Sequence, residues 1–271
     1  MTDTDQLAGL GNAPSRRAKA RWSRLAVMGL VMAAVGPLLM FGAGLIWGLD
    51  VSEDATFFII TAAIALLGAF LVSRSGAWFK IAGVVTALLV AVALFWTAFG
   101  LAEPASFFDF VPGLLVMPGA FIAIGASIAA FRAARRGDET VATGDGEQRF
   151  MRVVLTAVAV LAAVSGILTF TSKESVAEED ADTVVTLSDF EFDEASYSFP
   201  GGSTVLVRND DPFLHTFTIE ALDIDEKLTP GSEVLVEIPS ESGDYIVFCR
   251  PHTFDAEDPS EDDMAADVTI D

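Results

Sequence analysis

Long apolar runs fill the first two thirds of the chain, and short alternating runs fill the last third. A helix needs about 20 successive apolar residues to cross the hydrocarbon core of a bilayer. Five segments reach this length, and their succession argues against buried helices of a soluble protein. We therefore predict a five-helix transmembrane bundle, with spans at residues 25–49, 55–73, 77–100, 106–131 and 150–171.

Basic residues in the tail and the links predict the orientation of these helices. Lys and Arg occur in the N-terminal tail, in the link after the second span and in the link after the fourth, whereas the other two links carry acids and no base. Because Lys and Arg are retained on the cytoplasmic side, we expect a cytoplasmic tail at residues 1–24. After five crossings, the C-terminal region is expected outside the cell.

The predicted membrane domain, residues 25–171, carries little chemistry of its own. Residues 1–173 contain no His and no Cys, which argues against bis-His haem and Cys-ligated clusters there. Charged side chains within a span usually mark a transport path, but the span centres carry none. Asp109 lies near one end of the fourth span. The pattern indicates a membrane scaffold and does not indicate a transporter.

Charge divides the chain at the same point as hydropathy. Residues 1–173 have 13 Lys and Arg against 11 Asp and Glu, whereas residues 174–271 have 3 against 27. An acidic, weakly apolar stretch at 172–183 is typical of a solvated linker. The acids of the following domain are spread over every loop, which favours a halophile-like acidic surface over a specific patch for a basic partner. So negative a domain is not expected to bind nucleic acid.

The last domain, residues 184–271, has the pattern of a β-sandwich. Its apolar and β-branched runs are short, and turn residues such as Pro200-Gly201 and Pro230-Gly231 separate them. About seven strands in this length suggest an antiparallel sandwich. The predicted strands are 184–187, 197–199, 204–208, 214–220, 234–238, 245–249 and 268–270.

All the His and Cys residues of the chain lie in this domain. They are His215, Cys249 and His252, and a lone Cys cannot form an intramolecular disulfide. Two His and a Cys with a weak axial Met form the electron-transfer site of blue copper proteins. Met264 is the axial candidate, although an acidic insertion, 255–263, separates it from His252. Zinc also accepts two His and a Cys, with water as fourth ligand.

Several motifs resemble the cupredoxins of the plastocyanin, pseudoazurin and halocyanin group. They are Pro200-Gly201, the run Asn209-Asp-Asp-Pro-Phe-Leu-His215-Thr-Phe-Thr-Ile, Pro230-Gly231, and Gly243-Asp-Tyr-Ile-Val-Phe-Cys249-Arg-Pro-His252. The resemblance implies an all-β Greek-key sandwich, with His215, Cys249 and His252 as equatorial ligands of one type-1 copper ion and Met264 as the axial ligand. The loop before Met264 is longer than is usual in this family. The membrane part resembles no family that we recognise.

The expected function is that of a membrane-anchored blue copper protein that carries single electrons and is not an enzyme. Its redox donor and acceptor are expected to be membrane-associated. Thr216 and the loop 209–211 are candidates for hydrogen bonds that orient the copper ligands. Two alternatives remain open: a module for copper delivery or sensing, and a cupredoxin-like interaction domain without redox function.

Overall fold

The structure is a computed structural model that describes residues 20–47, 52–74, 76–136, 144–171, 173, 181–253 and 264–271. Three features predicted above lie wholly or largely outside the described residues. They are the N-terminal tail before residue 20, the acidic linker at 172 and 174–180, and the acidic insertion at 255–263. The chain divides into two compact units, and the second consists of Leu39–Ala55, Trp96–Gly113 and Val160–Asp271.

Apolar helices occupy the N-terminal part of the chain, as predicted. They are α1 (Ala20–Trp47), α2 (Ser52–Ser73), α3 (Ala77–Ala93), a 3-10 helix (Phe95–Ala102), α4 (Phe107–Arg136) and α5 (Gly144–Thr171). Within the described residues, four of these helices, α1, α2, α4 and α5, are each long and apolar enough to cross a membrane. The predicted number of five is reached only if α3 and the 3-10 helix count as one span.

The third predicted span, 77–100, is broken in the structure. Leu94 leaves α-helical geometry at φ −110° and ψ 23°, and the 3-10 helix continues at an angle of 61° to α3. The hydropathy pattern did not predict this break, because the residues on both sides are apolar and neither Pro nor Gly marks the position. Gly100 allows the 3-10 helix to lie against α4, since a Cβ there would be 2.2 Å from the carbonyl oxygen of Asp109.

Small residues set the packing within the first unit. A Cβ at Gly29 of α1 would lie 2.4 Å from the carbonyl oxygen of Gly119 in α4, and a Cβ at Gly119 would lie 2.6 Å from that of Gly29. Both positions therefore require glycine for this close helix crossing, as is common between membrane helices. Large apolar side chains such as Phe121, which is 72% exposed, point away from the protein interior. Such exposure is expected of a lipid-facing surface.

Among the described residues, nine short strands form the β-sandwich of the second unit. They are β1 (Thr183–Ser188), β2 (Glu191–Phe192), β3 (Ser196–Phe199), β4 (Thr204–Asn209), β5 (His215–Ile219), β6 (Ile224–Leu228), β7 (Glu233–Glu237), β8 (Gly243–Phe248) and β9 (Ala265–Ile270). One sheet has the order β2-β1-β4-β7, and the other has the order β3-β9-β8-β5-β6. Buried side chains of both sheets, including Val185, Val207, Phe217 and Val247, form one hydrophobic core.

The predicted sandwich needs two corrections. The strand pairs β1–β4 and β3–β9 are parallel, so the expected antiparallel arrangement holds only for the other pairs. Apolar alternation predicts which face of a strand is buried but not which strand lies beside it. The pattern also missed β2 and β6. The first has two residues, and the second has three exposed polar residues at its centre.

The substitution Phe217→Ala tests the common core of the sandwich. Phe217 is fully buried in β5, and removal of such a ring costs about 3 kcal/mol or more. Hydrogen exchange of the β5 and β8 amides should therefore become about 100-fold faster. Thr269→Ala, at an exposed position of β9, is the matched control and should change these rates by no more than about 2-fold. Equal effects of the two variants would contradict the proposed core.

Candidate metal centre

The pairing of β5 with β8 brings the three predicted equatorial ligands together. His215 is the first residue of β5, Cys249 directly follows β8, and the pair is antiparallel, with Thr218 opposite Phe248. The start of β5 therefore lies beside the end of β8. A short 3-10 helix, Arg250–His252, then turns the chain so that His252 faces the same point. His215 and Cys249 are buried, and His252 is half-buried.

The three ligand atoms form a nearly regular triangle. Nδ1 of His215 lies 3.1 Å from Nδ1 of His252, and the Cys249 Sγ lies 3.5 Å and 3.3 Å from these two nitrogens. The centre of such a triangle is about 2 Å from each corner, close to the length of a bond from a metal to imidazole nitrogen or thiolate sulfur. The donor set and the spacing both fit one metal ion. The cluster is consistent with a type-1 copper site.

The carboxylate of Asp211 fixes the orientation of His215. Its Oδ2 atom lies 2.8 Å from Nε2 of His215, so the Nδ1 atom of that ring is left to face the cluster. Burial alone would raise the pKa of Asp211, but the hydrogen bonds from His215 and from the Phe190 N–H outweigh it and lower that pKa. Asp211 is therefore an ionised carboxylate that accepts a hydrogen bond from the Nε2–H group of His215, as is typical for metal-binding histidines.

Asp211 also holds an unusual turn above the cluster. Asp189 and Phe190 both have positive φ, at 55° and 60°, which is unfavourable for a bulky side chain. Their N–H groups donate to the two carboxylate oxygens of Asp211 at 2.9 Å and 3.0 Å. The turn places the Phe190 ring 5.6 Å from the His215 ring and 5.0 Å from the His252 ring, with edge-to-face geometry in both cases. Phe190 thus packs against both imidazoles.

Asn209 holds the loop in which Asp211 lies. Its Oδ1 accepts a hydrogen bond from the Asp211 N–H at 2.9 Å, and its Nδ2 donates to the carbonyl oxygens of Phe213 and Leu228 at 2.8 Å and 3.0 Å. The side chain is fully buried. Asn209 thereby satisfies polar groups that would otherwise be left unpaired in the core. The loop proposed from the sequence as a source of supporting hydrogen bonds is in contact with His215.

Thr216 connects the thiol to β5. Its N–H donates to Cys249 Sγ at 3.3 Å, and its hydroxyl oxygen accepts a hydrogen bond from the Arg250 N–H at 2.8 Å. The first contact stabilises negative charge on the sulfur, and the second fixes the start of the 3-10 helix that carries His252. Thr216, which the sequence analysis also proposed as a source of orienting hydrogen bonds, therefore lies next to the clustered residues.

Without a bound cation, the side chains of Cys249 and His252 are electrically neutral at neutral pH. Burial raises the pKa of the Cys249 thiol to about 12, against the opposing hydrogen bond from Thr216. Burial, reinforced by His215, lowers the pKa of His252 to about 3. A cation is the natural partner for such a site, because it compensates the thiolate charge that burial disfavours.

Met264 lies next to Cys249 in the folded domain. It is 2% exposed and belongs to the same hydrophobic core as Cys249. Its carbonyl oxygen accepts a hydrogen bond from the Cys249 N–H at 3.0 Å. The backbone of Met264 is thus held beside Cys249, although the acidic insertion separates the two residues along the chain. The role of Met264 as the axial ligand stays a prediction.

Sequence reasoning missed two residues that contribute to this site. Phe190 lies in a two-residue turn between β1 and β2, and nothing in its local pattern indicated contact with the histidines. Asp109 accepts a hydrogen bond from the N–H of Leu214, the residue before His215, at 2.7 Å. Because 105 residues separate Asp109 from Leu214, no spacing rule could have paired them.

Comparisons with known proteins agree with the predicted fold of the C-terminal part. Residues 159–257 match the family of cupredoxin-like domains. The match begins within α5, before the boundary predicted at residue 184, and it ends before Met264. The search of curated proteins found no match to this chain. The membrane part is named by no matching family.

Solved structures similar to the chain include an amicyanin, a purple cupredoxin and a copper-containing nitrite reductase. The amicyanin from Paracoccus versutus has 20% identity and a TM-score of 0.27, covering 36% of this chain and 86% of that one. A purple cupredoxin from Nitrosopumilus maritimus has 18% identity and a TM-score of 0.26, covering 33% and 100%. The copper-containing nitrite reductase from Thermus scotoductus has 16% identity and a TM-score of 0.27. That match covers 33% of this chain, which spans 22% of the reductase.

The family match extends over the three clustered residues His215, Cys249 and His252. It therefore confirms the resemblance on which the copper assignment was based. Residues 159–257 of this chain are a cupredoxin-like domain.

Proposed function

We propose that this protein is a membrane-anchored type-1 copper protein that carries single electrons at the outer face of the cell membrane. The observation that carries the proposal is the triangle of His215 Nδ1, Cys249 Sγ and His252 Nδ1 inside a cupredoxin-like domain. Copper, when bound, supplies a one-electron couple between Cu(I) and Cu(II). His215, Cys249 and His252 are its equatorial ligands in this proposal, and Met264 is the axial ligand.

The surroundings of the ligands suit electron transfer rather than catalysis. Asp211 holds His215, Thr216 holds the sulfur, and Phe190 packs on both rings. Such a fixed ligand set changes little between two oxidation states, which favours fast electron exchange. Cupredoxin-like domains are typical of electron carriers. We therefore propose a carrier without catalytic function of its own.

The proposed location rests on the helices and the charge pattern. Several helices are long and apolar enough to span a membrane. Basic residues in the tail and in alternate links favour five spans, a cytoplasmic N-terminus and an extracellular copper domain at 184–271. We further propose that the strands of the sandwich are connected as a Greek key. The electron donor and acceptor are membrane-associated in this proposal.

An absorption spectrum of the copper-loaded full chain in detergent micelles tests the proposed function. Charge transfer from the Cys249 thiolate to Cu(II) should give an intense visible band, and Cys249→Ser should abolish it. A matched control adds Ser198→Cys, at an exposed position of β3, to the Cys249→Ser protein. The band should not return, because the new thiol is remote from the histidines. A folded, copper-loaded wild-type protein without the band would rule out a type-1 site.

The axial assignment has its own test. Met264→Leu should retain the visible band, because the three equatorial ligands remain. It should also raise the reduction potential, since loss of the thioether removes a donor that favours Cu(II). Voltammetry of the full chain measures this change, and Met151→Leu, at a partly buried position of α5, is the control. An unchanged potential in Met264→Leu would show that Met264 is not the axial ligand.

Copper binding should release a proton from Cys249. At pH 8 the thiol is protonated because burial raises its pKa to about 12, and His252 is already neutral because its pKa is lowered to about 3. Formation of the thiolate bond therefore releases about one proton per Cu(II) bound. Calorimetric titration in buffers of different ionisation enthalpy measures this number. The Cys249→Ser variant should release none from this position, and equal release by both proteins would contradict thiolate ligation.

A further inference from the structure

Asp109 is an acidic residue in an otherwise apolar segment, and electron transfer as proposed above gives it no role. It lies in the first turn of α4, and its Oδ2 accepts hydrogen bonds from the Ser106 hydroxyl and, at 2.7 Å, from the Leu214 N–H. Acidic residues within membrane spans are costly and usually functional. Residues 96–113 and 160–271 belong to the same compact unit, so this contact lies within one unit.

Helix capping does not account for the position of this carboxylate. Ser106 and Asp109 have the spacing of a capping box, in which the acid would accept the N–H of the serine. That N–H instead donates to the carbonyl oxygen of Glu103 at 3.0 Å. The Asp109 carboxylate therefore does not accept the Ser106 N–H, as it would in a capping box. It accepts the N–H of Leu214, the residue before His215.

Aromatic contacts also connect the first turn of α4 to the surroundings of the two histidines. The ring of Phe108 lies 6.1 Å from that of Phe213, which lies 5.1 Å from Phe190. Phe190 in turn packs against His215 and His252. Aromatic pairs at these distances are attractive beyond their burial. Phe108 and Asp109, adjacent in α4, thus contact two adjacent residues of the loop before β5, and the contacts extend to both histidines.

A third contact holds the neighbouring edge of the sandwich. The Lys227 ammonium group lies 2.5 Å from Oε1 of Glu103. Lys227 is in β6, opposite Thr216 of β5, and Leu228 is opposite His215. The contacts of Glu103, Phe108 and Asp109 therefore surround the start of β5, where the first histidine ligand lies.

We propose that the segment Glu103–Asp109 is a positioning element for the copper centre. Asp109 fixes the backbone at Leu214, directly before His215. Phe108 supports the ring of Phe190 through Phe213. The inference rests on the proposed function, because it assigns a role toward the same copper ligands. The membrane part is then more than an anchor. The ligand geometry of the copper domain depends on a segment that lies more than a hundred residues earlier in the chain.

Substitution of Asp109 in the full chain tests this role. Asp109→Ala removes the acceptor for the Leu214 N–H and should weaken copper binding about 10-fold or more, as loss of a ligand-orienting contact does. It should also shift the visible band and the copper hyperfine splitting of the electron paramagnetic resonance spectrum. Asp109→Asn keeps an acceptor oxygen and should restore both signals. Phe121→Ala, on the exposed face of α4, is the control and should resemble the wild type.

The outcomes separate this inference from the proposed function. A wild-type protein without the visible band contradicts the proposed function itself. A wild-type band that is unchanged in Asp109→Ala, in position, hyperfine splitting and copper affinity, overturns the positioning role alone. The same role is overturned if Asp109→Asn loses as much as Asp109→Ala. If Asp109→Ala does not accumulate, Ser106→Ala decides, because loss of the hydroxyl that orients the carboxylate should cause a smaller shift in the same direction.

Discussion

The antiparallel contact between β5 and β8 is the constraint on which the candidate metal centre depends. It sets the first residue of one strand beside the residue that follows the other, so His215 and Cys249 meet although 34 residues separate them. Both positions lie where a ladder of backbone hydrogen bonds begins or ends. A ligand at such a position is held by the sheet on one side and is free to face a metal on the other.

Burial gives this geometry its chemical consequence. The same apolar core that stabilises the sandwich keeps the Cys249 thiol and the His252 ring uncharged when no cation is present. The buried polar side chains of Asn209 and Asp211 are both paired by hydrogen bonds. The site therefore combines a low-dielectric interior, which penalises a lone thiolate, with hydrogen bonds that keep the three clustered side chains together.

Residue scarcity made the clustered residues predictable from sequence, and chain topology made the residues that support them unpredictable. The cluster of His215, Cys249 and His252 could be predicted because the chain has no other His or Cys. The faces of β4 and β5 followed from apolar character, but the parallel pairs β1–β4 and β3–β9 did not, because alternation carries no information on strand neighbours. The bend at Leu94 was hidden by uniform hydropathy, and the contact of Asp109 with Leu214 was hidden by distance along the chain.

The turn at Asp189 and Phe190 links backbone strain to ligand orientation. A bulky residue in the left-handed region costs on the order of 1 kcal/mol or more, and here the Asp211 carboxylate offsets that cost while it holds His215. One side chain thus serves two equilibria, the closure of a turn and the orientation of an imidazole ring. By thermodynamic reciprocity, whatever stabilises one stabilises the other. A substitution that relieves the strain of this turn, such as Asp189→Gly, would therefore act on the candidate metal site although residue 189 is not one of its three clustered residues.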